Sequence, residues 1–262
     1  MVITLTDEAN NVAQVSGPLR WGAATDIGKV REETQDGFAA EPEAGLFVVI
    51  DGMGGHRGGQ VAAQMIAQDL PPAIELAIDH LRSRRPRSIR RALKRVISQQ
   101  NRHVHLEGDS ESGYVGMGAT LVVVLLLAGR VYVANVGDSR VYRWRAGRLR
   151  QLSVDHSVVS ELLEAGHITS DEVHTHDALG VVTQYMGMPE GIEPSVRSLV
   201  LAPGDRFLLC TDGLTDMVDE GRISETLELE ADPQVAAKAL VAAANNAGGH
   251  DNVTTIVVHW KG

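Results

Sequence analysis

The sequence predicts an α+β fold in which helices pack outside stacked antiparallel sheets. Three observations predict it. Two long segments with apolar residues at helical spacing follow an opening pair of strand-like runs. Short β-branched runs separated by glycine-containing turns fill the middle of the chain. The last apolar run, NVTTIVVHW, is strand-like again and follows a late helical stretch.

Taken in order, residues 1–16 read as a loose tail and 17–262 as a single domain, since no repeat, low-complexity segment or long linker divides them. LRWGAAT (19–25) and GLFVVI (45–50) read as strands. Residues 59–80 carry Val61, Ala62, Met65, Ile66, Leu70, Ile74 and Leu76, the pattern of a helix, with a bend expected at Pro71-Pro72. A second helix fits 87–106 through Ile89, Leu93, Val96, Ile97 and Val104. The period then changes. ATLVVVLLL, VYVANV, RVYRW and RLRQL, separated by AGR, GDS and RAG, predict an antiparallel meander. Residues 157–175 suggest short helices, RSLVLA (197–202) and RFLLCT (206–211) strands, and Ala236–Ala244 a late helix.

Composition narrows the class. Of the 262 residues, 44% are hydrophobic and 22% charged, as in ordinary soluble domains. The longest aliphatic run, Leu121 to Leu127, is too short to cross a bilayer, and the N-terminus lacks the basic start and cleavage site of a signal peptide. The single cysteine, Cys210, cannot form an internal disulfide. The expectation is a cytoplasmic protein without a membrane partner. The net charge of −10 is uneven: residues 82–95, RSRRPRSIRRALKR, hold eight of the 24 basic residues and no acid, leaving 16 positive against 34 negative charges. So acidic a body repels phosphate backbones and argues against nucleic-acid binding. The basic stretch reads as a solvated helix start, or as a surface for an acidic partner.

Four aspartates share a local context. Asp51 ends FVVI and precedes Gly52, Asp138 follows VYVANVG, Asp212 follows FLLCT, and Asp251 opens NVTTIVV. A fifth, Asp36, lies in REETQD after the first strand. Each is also readable as a turn residue, because Asp-Gly between apolar runs is a hairpin signal and Gly-Asp-Ser an ordinary turn. Asp51 departs from that reading: five glycines in the eight positions 52–59, and then a helix, follow it. Asp251 departs too, having no partner run immediately upstream. If folding gathers these carboxylates, each close pair repels by roughly 4 kcal/mol at an effective dielectric near 20, and only cations can quiet the cluster. An all-oxygen donor set selects Mg²⁺ or Mn²⁺ over zinc. Two such ions activate a bridging water and clamp phosphoryl oxygens. Arg31 could then fork onto a phosphate.

Rival chemistries meet specific gaps. A cysteine phosphatase needs an arginine six positions after its nucleophile, and six beyond Cys210 is Asp216. No GxxxxGK[ST], CxxC or HExxH occurs, and GMGGHR lacks the third glycine of a dinucleotide fingerprint.

In order, TDIGKVREETQD, VVIDGMGGHRGGQVAA, MGATLVVV, ANVGDSRVYRW, LSVDHSVVSELLEAGHITSDEV, TQYMG, PGDRFLLCTDGLTD and GGHDNVTTIVV closely resemble the metal-dependent Ser/Thr protein phosphatases of the PPM (PP2C) family in their bacterial form. The resemblance spans about residues 19–259. It implies an α-β-β-α sandwich and two or three Mn²⁺ or Mg²⁺ ions. Asp51 would bridge two ions, with the Gly52 carbonyl on the second; Asp212 and Asp251 would complete the first, and Asp138 a third. Arg31 would bind the phosphate, Asp36 would support a metal-bound water, and His56 aligns loosely with a general acid. The implied activity is hydrolysis of phosphoserine and phosphothreonine on proteins, without a covalent phosphoenzyme. Phosphorylated proteins, substrates of Ser/Thr kinases or the kinases themselves, are the implied partners of a monomer. The chain departs from the family pattern at Thr34-Gln35, at Ala119 and at Thr183-Gln184. Gln35 and Gln184 leave open a second reading, a catalytically weak sensor or scaffold binding phosphoproteins, and a phosphatase dedicated to one regulatory partner is a third.

Overall fold

Strand alternation and four changes of sheet organise the molecule, seen in a computed structural model that describes residues 12–16, 18–54, 57–109, 114–169 and 171–262. In chain order the elements are β1 (Val12–Ser16), β2 (Leu19–Asp26), β3 (Asp36–Glu41), β4 (Leu46–Met53), α1 (Gly58–Asp79) and α2 (Pro86–Gly108). Then come β5 (Gly118–Ala119), β6 (Leu121–Leu127), β7 (Arg130–Val136), β8 (Arg140–Arg145) and β9 (Arg148–Gln151). The chain continues through α3 (Val158–Glu164), a 3₁₀ turn (Val173–Thr175), β10 (Ser195–Val200) and β11 (Arg206–Cys210). It ends with α4 (Asp212–Thr215), α5 (Glu220–Leu229), α6 (Pro233–Asn246) and β12 (Val253–Trp260). One antiparallel sheet has the order β1-β2-β12-β11-β8-β9; the other runs β10-β7-β6-β4-β3, with β5 beside β4.

Three apolar layers give the α-β-β-α order. Helices α1 and α2 cover the second sheet through Ile66, Leu70, Leu93 and Ile97 against Val48, Ile50 and Val123. Between the sheets, Phe47, Val49 and Val122 meet Trp21, Phe207, Leu209 and Ile256. Helices α5 and α6 cover the first sheet through Leu227, Leu240 and Ala237 against Leu208, Tyr142 and Val257. Cys210 belongs to this last layer, and burial pushes its thiol up to about 12. It is a core residue rather than a nucleophile.

Several expectations change. Val12–Ser16, read as tail, pairs with β2 as an edge strand. The helix read over 59–80 is one element, Gly58–Asp79, that continues past Pro71 and Pro72, with Pro71 packed in the core. β4 does not stop at Ile50, because Gly52 and Met53 find partners in Ala119 and Gly118. The meander is split: β6 and β7 lie in one sheet and β8 and β9 in the other, so Gly137-Asp138-Ser139 is a crossover between sheets rather than a hairpin turn. Likewise a helix, α4, follows Asp212-Gly213 instead of a return strand. The eight basic side chains of 82–95 are all exposed, three just before α2 and five in its first turns, while the apolar face of that helix is buried. Among the described residues no helix is long and apolar enough to cross a membrane.

Candidate active site

Side chains on the inter-sheet face are apolar along most of each strand and turn polar at one end. On β4 the stripe Phe47, Val49 ends in Asp51, and on β3 Ala40, Phe38 ends in Asp36. The same parity carries Phe207 and Leu209 of β11 to Thr211, and Val258 and Ile256 of β12 to Thr254. The register of β3 on β4 sets Asp36 directly opposite Asp51, a pairing of like charges that strands ordinarily avoid. Thr211 Oγ1 donates to Asp36 Oδ2 at 3.0 Å, and the Thr254 amide donates to Thr211 Oγ1 at 3.0 Å. Those threonines join the ends of the two sheets behind Asp51.

The remaining acids arrive from connections. Asp138 comes from the crossover after β7, Asp212 begins α4 just beyond β11, and Asp251 precedes β12. With Asp51, Arg31 and Gly52 they line one cleft of ≈ 670 Å³, which also takes in Glu32, Glu33, Arg57, Thr120 and Asn252. Asp36 does not line it; the carboxyl sits behind Asp51, 1% exposed.

Mutual repulsion at low dielectric marks this group. Burial first, then the charges of Asp212, Asp36, Asp138 and Asp251, hold the Asp51 carboxyl well above the usual range. Burial and then Asp138, Asp216, Asp251 and Asp36 do the same to Asp212. Burial pushes Asp36 up to about 7 against hydrogen bonds from Thr254 and Thr211. It pushes Asp138 to about 6, helped by Asp155 and Asp216. Arg31 answers only part of this charge: its Nη2 donates to Asp251 Oδ2 at 2.7 Å at a half-exposed rim, while the Asn252 amide donates to Asp251 Oδ1 at 2.8 Å.

The glycines have a backbone reason. A Cβ on Gly52 would stand 2.2 Å from the Gly59 carbonyl oxygen and 2.6 Å from that of Gln35, so two glycines let the start of α1 press against β4. One on Gly213 would stand 2.0 Å from the Asn252 carbonyl oxygen, which is how α4 reaches β12.

Three positioning residues escaped the sequence reading. Asn252 donates to the carbonyls of Ile27 and Glu33 at 2.9 and 3.1 Å and accepts from the Gln35 amide at 2.8 Å, tying the Arg31 loop to β12. Its only sequence signal is its place after Asp251. Thr120 donates its amide to the Asp51 carbonyl at 2.8 Å and shares a 2.6 Å hydrogen bond with Ser139, joining β4 to the crossover. His156 pins the next segment: its amide donates to the Gly137 carbonyl at 3.0 Å and its Nδ1 accepts from the Gly137 amide at 3.3 Å. With the Arg140–Asp155 ion pair at 2.8 Å, this holds the stretch whose Gly180 and Val182 line the cleft.

Of the sequence-chosen residues, Asp51, Gly52, Asp138, Asp212, Asp251 and Arg31 share the cleft. His56 lies outside the described residues. Gln35 lines the cleft and its carbonyl accepts from the Gly52 amide, whereas Gln184 accepts from the Glu193 amide at 2.7 Å away from it. Among the described residues no three Asp, Glu, His or Cys side chains close into a ready-made cage for an ion. The donor chemistry nevertheless fits a hard divalent cation: carboxylate oxygens, buried and repelling, with Asp251 held by Arg31.

The chain as a whole is similar to known proteins. A family model described as protein phosphatase 2C matches residues 29–243. Protein phosphatase PhpP of Streptococcus pneumoniae (strain D39) is 34% identical over 238 residues, covering 89% of this chain and 94% of its own. The structure of the S. agalactiae serine/threonine phosphatase superposes with a TM-score of 0.83 at 33% identity, over 92% of this chain and 99% of that one. The catalytic domain of the serine/threonine protein phosphatase PstP, crystallised with two manganese ions, superposes with a TM-score of 0.74 at 33% identity, over 92% and 97%.

Proposed function

The chain belongs to the protein phosphatase 2C family, and from that premise we propose that it is a metal-dependent protein phosphatase acting on phosphoserine and phosphothreonine. The observation that carries this reading is the meeting of Asp51, Asp138, Asp212 and Asp251 with Arg31 in one cleft.

On this reading the carboxylates of Asp51, Asp212 and Asp251, with Asp138 beside them and the Gly52 carbonyl, hold Mn²⁺ or Mg²⁺. Bound there, such ions supply a water acidic enough to act as nucleophile and neutralise phosphoryl charge. The protein's own contribution is positioning. Arg31 keeps one N–H on Asp251 and has four more for equatorial phosphate oxygens, so the anchor that orients it also leaves it free to bind. Asp36 acts as a positioning residue, fixing Asp51 from behind through the β3–β4 register. Asn252 and Thr120 hold the Arg31 loop and the Asp51 strand to the same frame. Phosphate-monoester hydrolysis is among the slowest uncatalysed reactions, so this electrostatic set has to be preorganised. Phosphorylated proteins, and the kinases that make them, are the proposed partners.

The test is hydrolysis of p-nitrophenyl phosphate and of phosphoserine and phosphothreonine peptides. Turnover is expected with Mn²⁺ or Mg²⁺ and none in EDTA. Full activity in the chelator would defeat the reading, and metal binding without turnover on any substrate would favour a non-enzymatic scaffold.

A further inference from the structure

The inter-sheet layer has a second break, at the side of the sandwich rather than its end. β9 is the outermost strand of one sheet and β10 of the other. On the inward face of β8 the stripe begins with Val141 in the core and continues as Arg143 and Arg145. Their partners on β9 are Arg150 and Arg148: the register pairs Arg143 with Arg150 and Arg145 with Arg148. Trp144 and Leu149, of opposite parity, pack on the far side against the α5–α6 layer. One hairpin thus presents four arginines on one face. The Arg145 Nη2 donates to the Val200 carbonyl of β10 at 3.1 Å, which closes the two sheet edges around them. Arg197 of β10 stands near enough for the Arg150 charge to act on it.

Two directly opposed arginine pairs are unfavourable in a sheet. Among the described residues only Asp205 forms an ion pair with this group, through Arg145. Arg143 Nε is buried without a hydrogen-bond partner. The residues Arg143, Arg145, Ala146, Arg148, Leu149 and Arg150 surround a hollow of ≈ 640 Å³. All this occurs on a chain of net charge −10, where acids for pairing abound. β8 leaves Asp138 and runs away from the cleft, so the hollow lies roughly 15–20 Å from the acids.

We propose that this edge is a docking site for an extended anionic peptide segment whose acidic or phosphorylated side chains, at alternate positions, seat on Arg148 and Arg150. Spacing selects the occupant. Residues two apart on a strand are about 7 Å apart, and an extended peptide laid along β9 repeats its side chains at the same interval. Arginine forks favour carboxylate and phosphate oxygens in this geometry. A nucleic acid is disfavoured by the acidic body around the patch. If the phosphatase reading holds, the segment belongs to a protein substrate or its kinase; the docking itself does not require turnover.

Fluorescence anisotropy in EDTA tests it with three labelled decapeptides, alternating Glu-Val, phosphoserine-Val and Lys-Val, and a uridine decanucleotide. The Glu and phosphoserine peptides are expected to bind and to weaken at least about tenfold between 50 and 300 mM salt. The Lys peptide is expected not to bind. The double variant R148S/R150S, at two exposed positions, should lose at least about tenfold, while R148K/R150K, which keeps the charge without the fork, should fall between it and the wild type. Binding unchanged in R148S/R150S, equal binding of the Lys peptide, or RNA binding as tight as the peptides would overturn the proposal. Retained peptide binding by a protein without metal-dependent hydrolysis would sink the phosphatase reading and leave this one standing.

Discussion

At the Asp51 end of the sandwich the inter-sheet layer closes in crowded carboxylates, Asp36 buried and Asp51, Asp138, Asp212 and Asp251 half-buried, whereas along the β9–β10 edge it opens onto guanidinium groups that reach solvent. Both regions crowd like charges across paired strands: Asp36 against Asp51, and Arg143 and Arg145 against Arg150 and Arg148. The consequences differ with burial. Carboxylates answer burial by holding protons, as the raised Asp36, Asp51 and Asp212 do, so a permanent counter-ion is the alternative. Arginines cannot give up their protons, and Arg148 and Arg150 are placed where water screens them, so a transient partner suffices. The first arrangement suits chemistry and the second suits recognition.

The largest expected effect separates the two regions by turnover. Asp212→Asn or Asp51→Asn should lower kcat/KM for p-nitrophenyl phosphate by on the order of 10²–10³-fold or more. R148S/R150S should leave it within about twofold. A comparable loss in the arginine variant would move that edge into the catalytic machinery and break the comparison. Thermal melts with and without Mn²⁺ come next. At a hundred times its dissociation constant the ion should stabilise the wild type by about 2.7 kcal/mol, a shift of several degrees. Asp51→Asn should lose that shift and, without metal, melt no lower than the wild type, having shed one repelling carboxylate. An Mn²⁺ shift surviving in Asp51→Asn would mean that the ion binds elsewhere.

The apolar layers were legible in the sequence because periodicity reports burial: α1, α2, β4, β6, β7, β11 and β12 all fall close to their expected places. β3 was not, since DGFAAE offers a short apolar run that becomes a strand only by pairing with β4. α5 was missed too; its start depends on Asp219 accepting from the Arg222 amide, a cap that reads locally as an ordinary acidic loop. The switch of sheets at Gly137-Asp138-Ser139 is invisible to local pattern, because a crossover and a hairpin turn share the same residues. At the site, residue type and position at strand ends drew attention to the aspartates, while Asn252, Thr120 and His156 act through hydrogen bonds to distant backbone that no spacing encodes. The arginine face likewise needs the β8–β9 register to appear.

A titration sharpens the contrast between the two halves of the same sheet. Away from the cleft, the register sets His259 between Arg206 and Arg20. Burial, then those two cations, push its imidazole down to about 4. The unfolded chain, with an ordinary histidine near 6.5, takes up a proton as pH falls while the folded one does not. Stability from this group is therefore present above about pH 6.5 and lost between there and about pH 4, by up to roughly 3 kcal/mol. His259→Gln should flatten that part of the acid limb in urea unfolding followed from pH 7.5 to 4.5. An unchanged limb would mean that His259 titrates normally and that this half carries no cationic field.

The smallest effect bears on why the arginine edge exists. Arg150 opposes Arg143 in register, and Arg143 Nε has no partner to relieve it. If the edge were only a solvated surface, replacing Arg150 would change little. If it holds unrelieved repulsion, Arg150→Thr removes a like-charge pair while keeping a β-favouring side chain, and should stabilise the fold by about 0.5 kcal/mol. The gain should shrink in high salt, because part of the exposed repulsion is already screened there. It is measured as a higher urea midpoint at constant slope, which places the change in stability rather than in the compactness of the unfolded chain. A lower midpoint would show that Arg150 is a structural prop, and the edge would then resemble an ordinary strand rather than the exposed counterpart of the acidic cleft.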